Sequence, residues 1–260
     1  MRKTTTSIAI IISSLVAASS AQAAIIFSNV TYGATQATQA ETNYLTSLAS
    51  YQQETFDNLA TVTAAGATSL GAAQTGNQQS SWVMASEQFN TSVGVFSMVK
   101  SDGAANRSDV RPDLLMIENS STGEFGRSPS HATNWLDSND ADIVSWDISG
   151  VGFFDSLGFY LSDVNDQGAA LKLVFNDGTE HTTQLNSSLS NGNLMYVSLM
   201  ADVAISSASL LFDNGTNKND GWGIDTITVG SISVPEPATL ALLSLGLIGV
   251  GAARRGVRQN

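Results

Sequence analysis

From Phe56 onward the chain is a succession of short apolar runs, each closed by Gly, Ser, Thr, Asn or Asp, with no long helical period between them. That punctuation constrains the fold more than any other feature. Short runs bounded by turn formers suit strands, because backbone turns need the residues that tolerate tight or left-handed conformations. Predicted strands cover Trp82 to Ala85, Val93 to Val99, Leu114 to Ile117, Ile143 to Ile148 and Leu157 to Leu161. Others cover Leu194 to Leu199, Ile205 to Phe212 and Trp222 to Val229. The clearest hairpin joins Leu171–Phe175 to Thr179–Leu185 through Asn176-Asp177-Gly178, where Asp-Gly supplies the positive φ of a tight turn. The expected fold is mainly β: an antiparallel β-sandwich, jelly-roll-like, formed by one domain over residues 54–230.

Residues 24–53 read differently. Ala34 to Ala40 is low in complexity, and Tyr44, Leu45, Leu48 and Tyr51 then recur at helical spacing. The spacing predicts a short helix over about 37–52, lying against or outside the main domain, its apolar stripe a core contact.

The two ends are processing signals. Arg2 and Lys3 precede an apolar stretch from Ile8 to Ala18 and then Ala21-Gln22-Ala23. A charged start, a short apolar segment and a small-x-small site make residues 1–23 a secretory signal helix, cleaved after Ala23. At the other end, residues 231–260 hold Pro235-Glu236-Pro237, an apolar run over 238–253, and Arg254, Arg255 and Arg258. The prolines fix φ and hold the tripeptide extended. The run is long enough for a short transmembrane helix, about 24 Å against a hydrocarbon core of about 30 Å, with thinning or snorkelling making up the difference. Arg254 and Arg255 stop transfer on the cytoplasmic side. A plain membrane anchor, with Pro-Glu-Pro as a linker, is the simpler reading of the same residues.

This tripartite tail resembles the PEP-CTERM sorting signal of exopolysaccharide-producing Gram-negative bacteria. The resemblance implies a membrane partner, exosortase, a transpeptidase-like enzyme that recognises the motif and releases or transfers the exported protein. It also implies export through the inner membrane, a transient membrane anchor, then the cell surface or extracellular space, with exopolysaccharide as a neighbour. Residues 150–230 further resemble the compact β-sandwich of many such proteins, at Leu157-Gly-Phe-Tyr160, Asn176-Asp-Gly-Thr179 and Gly221-Trp-Gly-Ile-Asp225.

Composition narrows the partners. There is no cysteine, so stability must come from the core or from oxygen-ligated ions. The formal charge is −12, and removing both processing signals makes the body more acidic still. Such a body repels nucleic acid and anionic lipid and suits solubility, divalent cations or basic partners.

Chemistry-bearing motifs are sparse. His131 and His181 are the only histidines, and neither a Gly-x-Ser-x-Gly elbow nor a His-Glu-x-x-His cluster is present. No catalytic residue is assigned. Acidic turns are more frequent: Asp137 to Asp140, Asp142, Asp163 to Asp166 and Asp213 to Asp220. Jelly-roll carbohydrate-binding modules often hold a structural calcium between an early acid and one near the last strand. Glu54 and Asp57 resemble the early element and Asp225 the late one, which implies a structural Ca2+; solvated turns and Asx caps are the plainer reading. Trp135, in polar Thr-Asn-Trp-Leu-Asp-Ser, is the expected exposed platform for stacking a sugar, while Trp146 and Trp222 read as core.

Three functions compete. The first is a non-enzymatic surface or extracellular-matrix protein whose sandwich serves adhesion or carbohydrate contact. The second is a secreted hydrolase working around His131 or His181. The third is a membrane-tethered structural protein without a ligand.

Overall fold

The computed structural model describes residues 25–64, 68–69, 82–101, 115–120, 134–138, 141–164, 168–185, 192–213 and 221–232. The predicted signal peptide, the tail from residue 233 with Pro235, Glu236, Pro237, Arg254 and Arg255, and His131 lie outside them. In chain order the elements are β1 (Ile25–Tyr32), α1 (Ala34–Ser47), β2 (Leu48–Glu54), β3 (Thr63–Ala64), β4 (Thr68–Ser69), β5 (Met84–Ser86), β6 (Gln88–Thr91) and β7 (Gly94–Ser101). They continue with β8 (Leu115–Asn119), β9 (Asn134–Ser138), β10 (Ala141–Asp147), β11 (Ser156–Ser162), β12 (Gly168–Phe175), β13 (Glu180–Gln184), β14 (Leu194–Ala201), β15 (Ile205–Asp213) and β16 (Trp222–Ile232).

These strands form two antiparallel sheets. The larger runs β1-β14-β11-β16-β9-β8-β5-β4, with β2 also paired to β16, and the smaller runs β13-β12-β15-β10-β7-β6-β3. Apolar residues of the two inner faces interdigitate as one core, from Leu157, Phe159 and Leu161 of β11 to Leu171 and Leu173 of β12. Trp146 stacks on Phe96 at 5.2 Å and donates its indole N–H to the Val93 carbonyl at 2.9 Å. Trp222 stacks on Phe212 at 4.6 Å, so both tryptophans are core residues. The β12–β13 hairpin turns as its sequence requires: Gly178 has φ 82°, and Asp177 Oδ1 accepts from the Thr179 amide and hydroxyl.

Residues 25–54 belong to the larger sheet. β1 pairs with β14 and β2 pairs with β16. The helix ends at Ser47, and the segment expected to continue it to residue 52 is strand instead. Leu48 adopts an extended conformation and β2 then satisfies its backbone on β16, which isolated helical spacing cannot foresee. Ala37, Ala40 and Tyr44, one stripe of α1, pack onto Tyr160 and Tyr196 of the sheet's outer face.

That outer face is why β16 and β11 are buried on both sides. Tyr160 stands opposite Tyr196 on one side and Asp225 on the other. The polar positions of these strands are therefore covered like the apolar ones. The same holds for β9, whose Asp137 was expected in an acidic turn.

Candidate functional site: an uncharged groove beside the helix

Helix α1 does not cover the whole outer face. Between it and β1 runs a groove of about 570 Å3. Strand alternation puts Phe27, Asn29 and Thr31 of β1 along one wall. Gln36, Gln39 and Asn43 recur at helical spacing along the other, and Ser198 and Met200 of β14 line the groove between them. Gln39 Nε2 donates to Asn43 Oδ1 at 3.0 Å, and Asn29 Nδ2 donates to Thr31 Oγ1 at 2.7 Å. Each pair leaves further donor and acceptor capacity facing the groove. Phe27 is 44% exposed at its edge. Among the described residues no acid or base lines it; Tyr44 is the only titratable side chain of these there, and burial raises its phenol well above the usual range. Amides, hydroxyls and one open aromatic ring suit a neutral, hydroxyl-bearing ligand.

The groove depends on how α1 is held. Tyr44 donates to Ser156 Oγ at 3.2 Å, and Tyr160 donates to Glu41 Oε2 at 2.8 Å. Gln53 of β2 also reaches Glu41, at 3.4 Å, and Thr228, at 3.1 Å. Tyr44, Tyr160 and Tyr196 pack ring against ring beneath the helix.

Trp135 is corrected. It is 1% exposed, on β9, and donates its indole N–H to Asp137 Oδ2 at 3.2 Å. A buried, hydrogen-bonded indole offers no face to a sugar. Its polar sequence neighbours are themselves buried, because both faces of this part of the sheet are covered.

The three predicted calcium ligands do not converge. Glu54 stands opposite Ile227, a core residue, and its carboxylate is turned toward the smaller sheet. Oε1 accepts the Phe56 amide at 3.0 Å; Oε2 accepts the Ser92 amide and hydroxyl in the β6–β7 turn. Asp225 stands opposite Tyr160, on the outer face. Asp57 Oδ1 accepts the Asn134 amide at 2.9 Å and so fixes the start of β9. Among the described residues no group of three or more His, Cys, Asp or Glu side chains is placed to hold a metal. Of the three, Asp57 and Asp225 lie near each other. Asp225 is fully buried and its Oδ1 has no hydrogen-bond partner among the described residues, while Oδ2 accepts from Thr226. Burial above all, then the nearby Asp57 and Glu41 charges, push its carboxyl up to about 8, against the bonds from Thr226. Phe56 and Thr226, beside Asp57 and Asp225, have φ of 56° and 48°, left-handed conformations costly for side chains of their kind.

His181, on β13, contacts Thr183 Oγ1 at 2.9 Å, and the nearby Lys172–Glu180 ion pair lies on the surface. The amide ladder of the groove was missed in the sequence reading. Its signal was present in Gln36, Gln39 and Asn43, three amides at helical spacing, and in alternating Phe27, Asn29 and Thr31.

An acidic antiparallel β-sandwich is the class these features define. The particular signal is the PEP-CTERM protein-sorting motif, which residues 233–255 match. That motif is recognised by a membrane processing enzyme and marks export with a transient anchor. Among the described residues no helix is long and apolar enough to cross a membrane. No curated protein matches the chain. Similar solved structures include the CBM22-1–CBM22-2 tandem domain of Paenibacillus barcinonensis Xyn10C, with TM-score 0.29, 11% identity, and 53% of this chain and 42% of that one covered. They also include an arabinose-bound MgGH51 α-L-arabinofuranosidase, with TM-score 0.32, 12% identity, and coverage of 55% and 26%. A third is TmCBM27, a carbohydrate-binding module described for specific mannan recognition, with TM-score 0.29, 11% identity, and coverage of 71% and 100%. The chain thus spans less than half the length of the first two.

Proposed function

We propose that this is a non-enzymatic surface or extracellular-matrix protein whose sandwich contacts a neutral polysaccharide in the groove between α1 and β1. One observation carries the reading. Among the described residues the groove is lined by Asn29, Gln36, Gln39 and Asn43, by hydroxyls, by Ala40 and Met200 and by the ring of Phe27, with no acidic or basic side chain, in a chain of formal charge −12. An acidic protein with an uncharged groove, largely apolar and edged with amides and hydroxyls, selects ligands by ring and C–H contact and by hydroxyl pairing, without demanding a counter-charge. The sorting signal supports the setting: a protein exported toward the cell exterior would meet exopolysaccharide, a partner of this chemistry.

The test is affinity electrophoresis of the secreted form through gels holding neutral or uronate-rich polysaccharides. Retardation by a neutral polymer, lost on Phe27→Ala, is the expected result. Retardation only by an anionic polymer, or by none, sinks the reading. Release of reducing ends during the same incubation would point instead to the hydrolase.

A further inference from the structure

The described part of β16 ends at Ile232, and the sorting motif match begins at the next residue. Six residue steps separate Ile232 from Ala238, the first residue of the apolar run. Fully extended, they span at most about 22 Å. With residues 238–253 in the bilayer, the end of the sandwich bearing Ile232 is therefore held within about 22 Å of the lipid surface.

That end carries exposed apolar side chains. Register places β2 residue Tyr51 opposite Gly230 of β16, and Ser231 Oγ donates to the Phe153 carbonyl at 3.0 Å. Phe153 is 67% exposed, on the loop leading into β11, and Tyr51 is 49% exposed. Ile26, 57% exposed, begins β1 on the same end, since β1 starts opposite Ala201 and Met200, and Met200 stands opposite Ser156 where β11 starts. Three strand spacings, about 14 Å, separate β1 from β16. Among the described residues the only lysines or arginines are Lys100 and Lys172, both at positions on strands of the smaller sheet, while Asp155 and Asp202 lie at this end. Asp155 accepts the Ile232 amide at 2.8 Å and so fixes the exit of β16.

We propose that Tyr51, Phe153 and Ile26 form a lipid-facing rim that rests in the headgroup layer while the tail is anchored, setting the height and tilt at which the tripeptide is offered to the processing enzyme. The partner is a zwitterionic bilayer surface: the contacts are apolar and aromatic, and acidic neighbours disfavour anionic lipid. Ile26 adjoins the groove residue Phe27, so the test uses Tyr51 and Phe153. The proposal rests on the sorting signal and is independent of the polysaccharide reading.

The chain has no cysteine, so single labels can be placed at will. Full chains bearing Tyr51→Cys, Phe153→Cys, Gln184→Cys or Leu245→Cys are labelled with an environment-sensitive dye and inserted into phosphatidylcholine vesicles. A fraction of the lipid carries a nitroxide near the acyl carbonyl. Gln184 ends β13 at the far end of the sandwich and Leu245 reports the anchor itself. The expected result is strong, salt-insensitive quenching at 51, 153 and 245 and little at 184, weakened at 51 and 153 by phosphatidylglycerol. Quenching at 245 with 51 and 153 no different from 184 overturns the rim while leaving the anchor intact. Lack of quenching at 245 removes the anchor and the rim with it. Labels at 51 and 153 shielded from both lipid nitroxide and aqueous iodide would assign this face to a second copy or the processing enzyme, and also overturn lipid contact.

Discussion

Gly158 of β11 lies directly beneath the ring of Tyr44 on α1: a methyl at residue 158 would meet Tyr44 Cε1 at 2.7 Å and Tyr196 Oη at 2.5 Å. The glycine is there for close approach, and the helix, hence one wall of the groove, sits at the height it allows. Gly158→Ala is expected to cost about 1–3 kcal/mol through overpacking and to weaken polysaccharide binding as α1 is pushed outward. Gly150→Ala, with nothing near its Cβ, is the matched control and stays close to neutral. Urea denaturation with the binding assay checks both; equal stability for the two variants refutes the contact.

Groove residues should separate binding from folding. Phe27 is largely open and Gln39 is exposed, so Phe27→Ala and Gln39→Ala are expected to leave the melting temperature nearly unchanged. Each is expected to weaken neutral-polysaccharide binding by about tenfold, or roughly 1.4 kcal/mol. Because no charge lines the groove, binding should vary little with salt. Titration calorimetry at two ionic strengths measures both effects, and a steep salt dependence would contradict an uncharged site.

Much of this sandwich is legible from single residues. The runs at Leu157, Leu171, Leu194, Ile205 and Trp222 are strands because their apolar positions face one core. Asp177-Gly178 turns because Gly178 takes the positive φ and Asp177 Oδ1 caps Thr179. What escapes is set by partners distant in sequence. Leu48 to Glu54 continues a helical spacing, yet β16 offers its backbone a ladder. Trp135 sits among polar residues and looks exposed, yet both faces of β9 are covered. Glu54 and Asp225 share a sheet, but register turns them to opposite faces, and register cannot be read from composition.

Glu54 and Asp225 are therefore expected to behave differently toward calcium. The proposal that remains is an ion shared by Asp57 and Asp225 Oδ1, which has no hydrogen-bond partner among the described residues. Native-state binding would raise stability by RT ln(1 + [L]/Kd), about 2.7 kcal/mol at a hundredfold excess over Kd. Millimolar calcium should raise the melting temperature; EDTA and Asp225→Ala should suppress the rise, and magnesium should do less. Glu54→Gln should destabilise to the same degree with and without calcium, because that carboxylate holds the Ser92 turn. Identical melting temperatures in calcium and EDTA would exclude the ion.

Processing gives a prediction independent of the sandwich. Replacing Pro235, Glu236 and Pro237 with alanine should leave the precursor in the inner membrane, while deletion of 238–260 should give a soluble periplasmic product. Fractionation and mass spectrometry of the released form, in a host with the processing enzyme, decide the matter. Normal release of the alanine variant would falsify recognition of the tripeptide.

The pH dependence of stability tests the burial of Asp225 itself. Its folded carboxyl is raised to about 8 from 3.8, so between those values the native state holds a proton that the unfolded chain has lost. A raised folded value means the contribution is complete below about pH 4 and is lost as pH rises toward 8. Stability should fall across that window with a slope on the order of 1.4 kcal/mol per pH unit for this single group. Asp225→Asn removes the proton exchange while keeping an acceptor for Thr226. It is expected to flatten the slope, with its largest gain in melting temperature at pH 8 and above. Calcium bound beside Asp57 would favour the ionised carboxylate and shrink the slope in the wild type alone. Parallel curves for wild type and Asp225→Asn from pH 4 to 9, without calcium, would mean that the carboxyl ionises freely and is not sealed from water as the fold places it.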